Sequence, residues 1–179
     1  MGMARLENLL GALALSVSDT VLRPGPAAEG TALTSSERAA LVTLRAHPGR
    51  GLGWLGEVLG LTSSGVTRLV ARLVRAGLVS SGTAADARAR VLRLTPEGVR
   101  RAELVLTHRR RAIDHVVAVL SPAERVVFEG LLDKIVAAAA ADLPEALRVC
   151  RMCDRAACGA GRECPLAPVA AGRAEPGGR

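Results

Sequence analysis

A chain of 179 residues that is 49% apolar and has a formal charge of +7, carried almost wholly by Arg, has room for one domain with appendages around an aliphatic core. Its pI of about 10.7 favours polyanionic partners, nucleic acid before acidic membrane. Trp54 and Phe128 are the sole aromatics, which argues against stacking unpaired bases on aromatic platforms, and no stretch is long and apolar enough to span a bilayer.

Leu6, Leu9, Leu10, Leu13, Val17 and Val21 keep helical spacing and predict a first helix over 6–22. Glu7 stands where a secretion signal wants positive charge, so the apolar run 9–17 reads as a helix and the chain as cytoplasmic. Pro24-Gly25-Pro26 stops this helix. Thr34-Ser35-Ser36-Glu37 is a capping box opening a second helix, with Ala40, Leu41 and Leu44 facing inward, which ends before Pro48-Gly49. Leu52–Leu59 is a short third helix that buries Leu55, Val58 and Leu59, with Trp54 packed nearby. Gly60 supplies a turn, Leu61 plugs it and Thr62 caps the next helix.

That helix, 62–76, is the centre of the reading. Val66, Leu69, Val70, Leu73 and Val74 form one apolar face to be buried. Ser63, Ser64, Thr67, Arg68, Arg72 and Arg75 fall elsewhere, and Ser64, Arg68 and Arg72 stack along one line. Short hydroxyls followed by guanidinium groups, with no carboxylate among them, suit a major groove that offers base edges between phosphate walls. A solvated surface helix would carry the same Arg residues, so its neighbours decide. A short helix, a Gly turn and this longer helix make a helix-turn-helix. Leu78-Val79 and Val91–Leu94 are strand candidates around the small basic loop SSGTAADARAR. Together they form a wing, 80–90, whose Arg88 or Arg90 suits the minor groove and whose Asp86 braces an Arg or caps the turn.

Thr95-Pro96-Glu97 opens a long helix to about Val119. It carries the run Arg109-Arg110-Arg111, which reads as a solvated face. A second capping box, Ser121–Glu124, opens a helix to about Ala141, with the stripe Val127, Leu131, Ile135 and Val136 continued by Ala138 to Ala141. The first helix and these two hold more apolar surface than a compact winged helix covers, so a homodimer is expected. It would place two recognition helices about 34 Å apart on a palindromic duplex.

All four cysteines fall in the run CRMCDRAACGAGREC, as Cys150, Cys153, Cys158 and Cys164. In a cytoplasmic chain these are thiols, metal ligands or redox switches, not a secreted disulfide framework. Four thiolates match tetrahedral zinc in a closed structural site, its net −2 offset by Arg148, Arg151, Arg155 and Arg162. An iron–sulfur cluster needs the same ligands. A dithiol switch needs only Cys150 and Cys153, whose pKa neighbouring Arg would lower. The spacing alone does not separate the three. The residues after Val169 read as a disordered end.

The expected architecture is therefore mainly α, with about six helices around a two- or three-stranded wing. Its divisions are a dimerisation helix (1–33), a winged helix-turn-helix (34–95), C-terminal dimerisation helices (96–142) and a cysteine tail (143–179). From GVTRLVARLVRAGLV through DARARVLRLTPEG, with the order and caps around it, the chain resembles the MarR family of winged-helix transcriptional regulators. The resemblance covers roughly residues 5–142 and rests on three pieces: the recognition helix, the D-x-R wing of Asp86 and Arg88, and the closing LT-x-x-G. It implies an interlocked dimer, Ser63, Ser64, Thr67 and Arg68 toward bases, Arg72 on the backbone and Arg88 in the minor groove. It also implies repression relieved by a small-molecule effector, whose pocket no buried Tyr or His constellation marks here. Ser80-Ser81 stand where the family often has a basic residue, and Ala87 stands where it often has a first wing Arg. These departures shift DNA affinity toward the recognition helix and Arg75 or Arg90. The alternative is a metal- or redox-sensing regulator in which the Cys150–Cys164 cluster controls DNA release. No Ser/His/Asp set, phosphate loop or carboxylate pair points to an enzyme.

Overall fold

The computed structural model describes residues 3–22, 33–83 and 90–170. Helix α1 (Met3–Leu22) precedes α2 (Ser35–Ala46), strand β1 (Arg50–Gly51), α3 (Leu52–Leu59) and α4 (Ser63–Arg75). Strands β2 (Val79–Thr83) and β3 (Arg90–Leu94) lead into α5 (Pro96–Val117) and α6 (Pro122–Ala137). Three short helices follow: α7 (Leu143–Val149), α8 (Arg155–Cys158) and α9 (Ala167–Ala170). The predicted caps are all in place. Thr34 and Glu37 close a capping box, as do Ser121 and Glu124, while Thr62 and Thr95 accept from Gly65 and Gly98.

The sheet is antiparallel in the order β1-β3-β2, with Arg50 opposite Leu92 and Val79 opposite Leu94. Leu41 and Leu44 of α2, Leu55 of α3, Val66, Leu69 and Leu73 of α4, and Leu92 of β3 form a dry aliphatic core. Helix α2 is its hub. Arg38, itself buried, donates to the carbonyls of Val21 and Leu22 and so places a cation at the carboxyl end of α1, which has none in its own last turn.

The start of α5 is fastened to the end of α4 through backbone. Thr95 N–H donates to the Leu78 carbonyl at 3.1 Å, and the Thr95 hydroxyl donates to the Gly77 carbonyl at 2.6 Å. Gly98 lies so close that a Cβ there would stand 1.9 Å from the Leu78 carbonyl oxygen. The glycine of the LT-x-x-G run is thus required by a backbone contact.

Three expectations need correction. Val74 is exposed, because α4 buries only Val66, Leu69, Val70 and Leu73. Helix α5 stops at Val117, short of Val119. Helix α6 stops at Ala137, and of Ala138 to Ala141 only Ala140 is buried, against α7 and α9 rather than along the α6 stripe. Met3, Leu6, Leu9 and Leu10 of α1 and Val126, Val127, Leu131 and Ile135 of α6 are all more than half exposed in the single chain. Among the described residues no helix is long and apolar enough to cross a membrane.

Candidate nucleic-acid interface

The turn between α3 and α4 is set by Gly60, whose φ of +64° is the left-handed region that glycine adopts without strain. Its N–H donates to the Glu57 carbonyl at 3.2 Å, and Leu61 N–H to the Gly56 carbonyl at 2.9 Å, which closes the corner. The packed face of α4 then leaves Ser63, Ser64, Thr67, Arg68, Arg72 and Arg75 exposed together on the opposite side. Ser64 lies 3.4 Å from the Thr62 hydroxyl, and the Thr67 hydroxyl donates to the Ser63 carbonyl at 2.7 Å, leaving its oxygen free to accept. None of the hydrogen bonds or ion pairs among the described residues uses Arg68 or Arg75.

Arg72 is different. Its Nε donates to Glu37 Oε1 at 2.7 Å, from a half-exposed guanidinium to a carboxylate that is 8% exposed. Glu37 also accepts from the Thr34 N–H at 2.8 Å and the Thr34 hydroxyl at 2.9 Å. Burial pushes its carboxyl up, but the hydrogen bonds from Arg72 and Thr34 outweigh that and hold it below the ordinary carboxylate value. The sequence shows Glu37 only as half of a capping box. Its second partner is 35 residues away and no local pattern announces it.

At the wing, Ser80 and Ser81 pair with Arg93 and Leu92, and Arg90 stands exposed at the base opposite Thr83. Asp86 and Arg88 lie outside the described residues. Beside the helix-turn-helix, Trp54 is held edge-on by His47 with centroids 5.2 Å apart, and the Arg50 guanidinium lies 5.2 Å from its ring centroid. Burial lowers the His47 pKa, with Arg155 and Arg50 adding to the effect.

The cysteine tail folds back on this module. Cys150, Cys153, Cys158 and Cys164 line one cavity. Even so, among the described residues no group of three or more His, Cys, Asp or Glu side chains is arranged to hold a metal ion as it stands. The expectation that Arg lowers both thiols of the first pair is corrected. The Cys153 hydrogen bond lowers Cys150, with Arg155 a lesser contributor, while the same bond and burial raise Cys153. Burial and the neighbouring thiols push Cys158 up to about 12. The basic run of α5 is not simply solvated, because Arg110 pairs with Asp154 at 3.1 Å and Arg109 acts on Cys153.

The model of the MarR family matches residues 33–89. A MarR family protein from Bacillus stearothermophilus is 30% identical, with a TM-score of 0.63 over 74% of this chain and 91% of that one. The PcaV transcriptional regulator from Streptomyces coelicolor is 29% identical, with a TM-score of 0.52 over 78% and 98%. MepR, a transcription regulator of the Staphylococcus aureus multidrug efflux pump MepA, shares the fold at 19% identity, with a TM-score of 0.63 over 74% and 96%. No curated protein matches this chain.

Proposed function

Because this chain belongs to the MarR family of winged-helix transcription regulators, we propose that it is a repressor that grips a palindromic duplex as a homodimer. Helix α4 enters the major groove and the wing 80–90 reaches the minor groove. The observation that carries this reading is the outer face of α4, where Arg68 and Arg75 stand exposed with Ser63, Ser64 and Thr67 and no carboxylate of their own helix. Arg68 and the three hydroxyls meet base edges, as a guanidinium suits guanine and a hydroxyl suits several bases. Arg72, oriented by Glu37 through Nε, keeps its outer nitrogens for a phosphate. Arg75 and Arg90 add backbone contacts, and Asp86 and Arg88 serve the wing tip. The uncovered apolar faces of α1 and α6 supply the dimer contact, since exposed patches of this kind mark interaction surfaces. Cytoplasmic residence follows from access to genomic DNA, and no reaction is assigned to the chain.

The test is selection of genomic duplex fragments by the purified full chain, followed by sequencing. The expected result is one inverted repeat with half-sites about one helical turn apart, bound with an affinity that falls steeply with salt. Absence of any enriched duplex at low salt would refute the reading.

A further inference from the structure

Residues 140–170 form a second, very small core. Ala140, Ala146, Leu166 and Val169 are its buried members, with Val136, Cys150 and Cys164 packed against them. Below about 40 residues such a core rarely sustains itself without disulfides or a metal, and all four cysteines are free thiols. The chain brings those thiols together from three separate turns. Cys150 ends α7, Cys153 follows a 3-10 turn, Cys158 ends α8, and Cys164 precedes the turn into α9.

The same segment is fastened to the DNA-reading module. The Thr43 hydroxyl of α2 donates to the Arg151 carbonyl at 3.2 Å, between Cys150 and Cys153. Arg148 reaches the Glu57 carbonyl of α3 at 3.5 Å, beside the Gly60 turn. Arg110 of α5 holds Asp154, the residue after Cys153, while Asp154 itself caps α8. The elements that carry the sulfurs are therefore each placed by contacts outside the cluster.

We propose that Cys150, Cys153, Cys158 and Cys164 bind one thiophilic divalent cation of the zinc class in a closed tetrahedral site, and that this ion keeps residues 143–170 docked on α2 and α3. A Zn–S distance of about 2.3 Å sets tetrahedral sulfurs about 3.8 Å apart, so the four side chains that line the one cavity must turn toward a common point to close the site. An all-sulfur set selects a soft ion over calcium or magnesium. Binding converts four thiols to thiolates and releases their protons to solvent. Arg155, which lines the same cavity, offsets part of the net −2 left on the site. Arg148, Arg151 and Arg162 have other work, on Glu57, on the Arg148 carbonyl, and on Glu129 and Asp133 respectively.

The test uses the full chain purified without oxygen. Elemental analysis is expected to give one zinc per chain, and titration with a mercurial to release it as four thiols are consumed. Cobalt substitution should give the visible bands of a tetrahedral thiolate site. Cys158→Ser should hold less than a tenth of the zinc, and chelator should speed protease cutting within 143–170 severalfold while 33–142 resists. Iron with labile sulfide, a disulfide, no metal at all, or full zinc in Cys158→Ser would overturn the proposal. The mercurial titration needs no variant, so a misfolded mutant leaves the question decided. Duplex selection on the same protein is read separately, so loss of the zinc proposal and loss of the repressor reading are distinguishable.

Discussion

Replacing Gly98 by Ala adds one methyl group where the first turn of α5 meets the Leu78 backbone. That carbon would lie 1.9 Å from the Leu78 oxygen and 2.9 Å from its carbonyl carbon, whereas ordinary contact begins at 3.4 Å, so α5 and the start of β2 must part by about 1.5 Å. The strain of overfilling a packed contact is about 1–3 kcal/mol. The displacement also stretches the Thr95 N–H bond to Leu78 and the Thr95 hydroxyl bond to Gly77, each worth about 1 kcal/mol. Alanine offsets up to about 1 kcal/mol through its helix propensity. The expected net loss is about 2–4 kcal/mol, a shift of about 1–2 M in the urea midpoint at a typical slope. Urea unfolding followed by far-ultraviolet circular dichroism, at matched protein concentration, measures it. Gly53→Ala is the control. It sits exposed in α3 with nothing within 4 Å of the added carbon, and should be neutral or stabilising by up to about 1 kcal/mol. A Gly98→Ala midpoint equal to wild type, or raised alongside Gly53→Ala, would show that the contact does not set the glycine.

Two further outcomes follow from the helix face and its buttress. Arg68→Ala should weaken binding to the selected duplex by about 10- to 100-fold, the scale of one guanidinium–base pair, with unfolding unchanged. An unchanged affinity in a fluorescence titration would remove Arg68 from the base-reading set. Glu37→Gln should be less stable than wild type at neutral pH. Because the folded-state carboxyl titrates below its unfolded value, its contribution is complete above the unfolded value and is lost as pH falls through the folded one. The gap between the two proteins should therefore close as pH falls from the ordinary Glu value through the lower folded-state one, and a gap that stays constant in urea unfolding across that range would count against the Glu37–Arg72 bridge.

What was legible in the chain is what short-range chemistry decides. Thr34, Thr62, Thr95 and Ser121 are recognisable because a cap needs only a hydroxyl and a backbone N–H within the same turn. Gly60 and the aliphatic strand run Val91–Leu94 are equally local. What was illegible depends on partners distant in sequence. Arg72 looks free until α2 brings Glu37 beneath it. Arg50 and Gly51 become a strand only because β3 runs alongside, and two residues carry no pattern of their own. Val74 lies at the margin of the apolar arc, where packing and not spacing decides burial. The short helices α7 and α8 have no sustained periodicity and depend on Asp142 and Asp154 as caps and on the surface beneath them. Along α4 the six predicted side chains all stand exposed, and the wing pair Asp86 and Arg88 lies outside the described residues.

The tail is anchored at both of its ends to different parts of the molecule. Thr43 and Glu57 tie it to the reading head, while Arg110, Glu129 and Asp133 tie it to the long helices α5 and α6. It is thus a strut across the angle between head and arm, the angle that would set the spacing of two heads in the proposed dimer. The Arg162 pairs with Glu129 and Asp133 are largely exposed and worth about 0–1 kcal/mol each, whereas Thr43 is buried, so the strut is held more firmly at the head than at the arm.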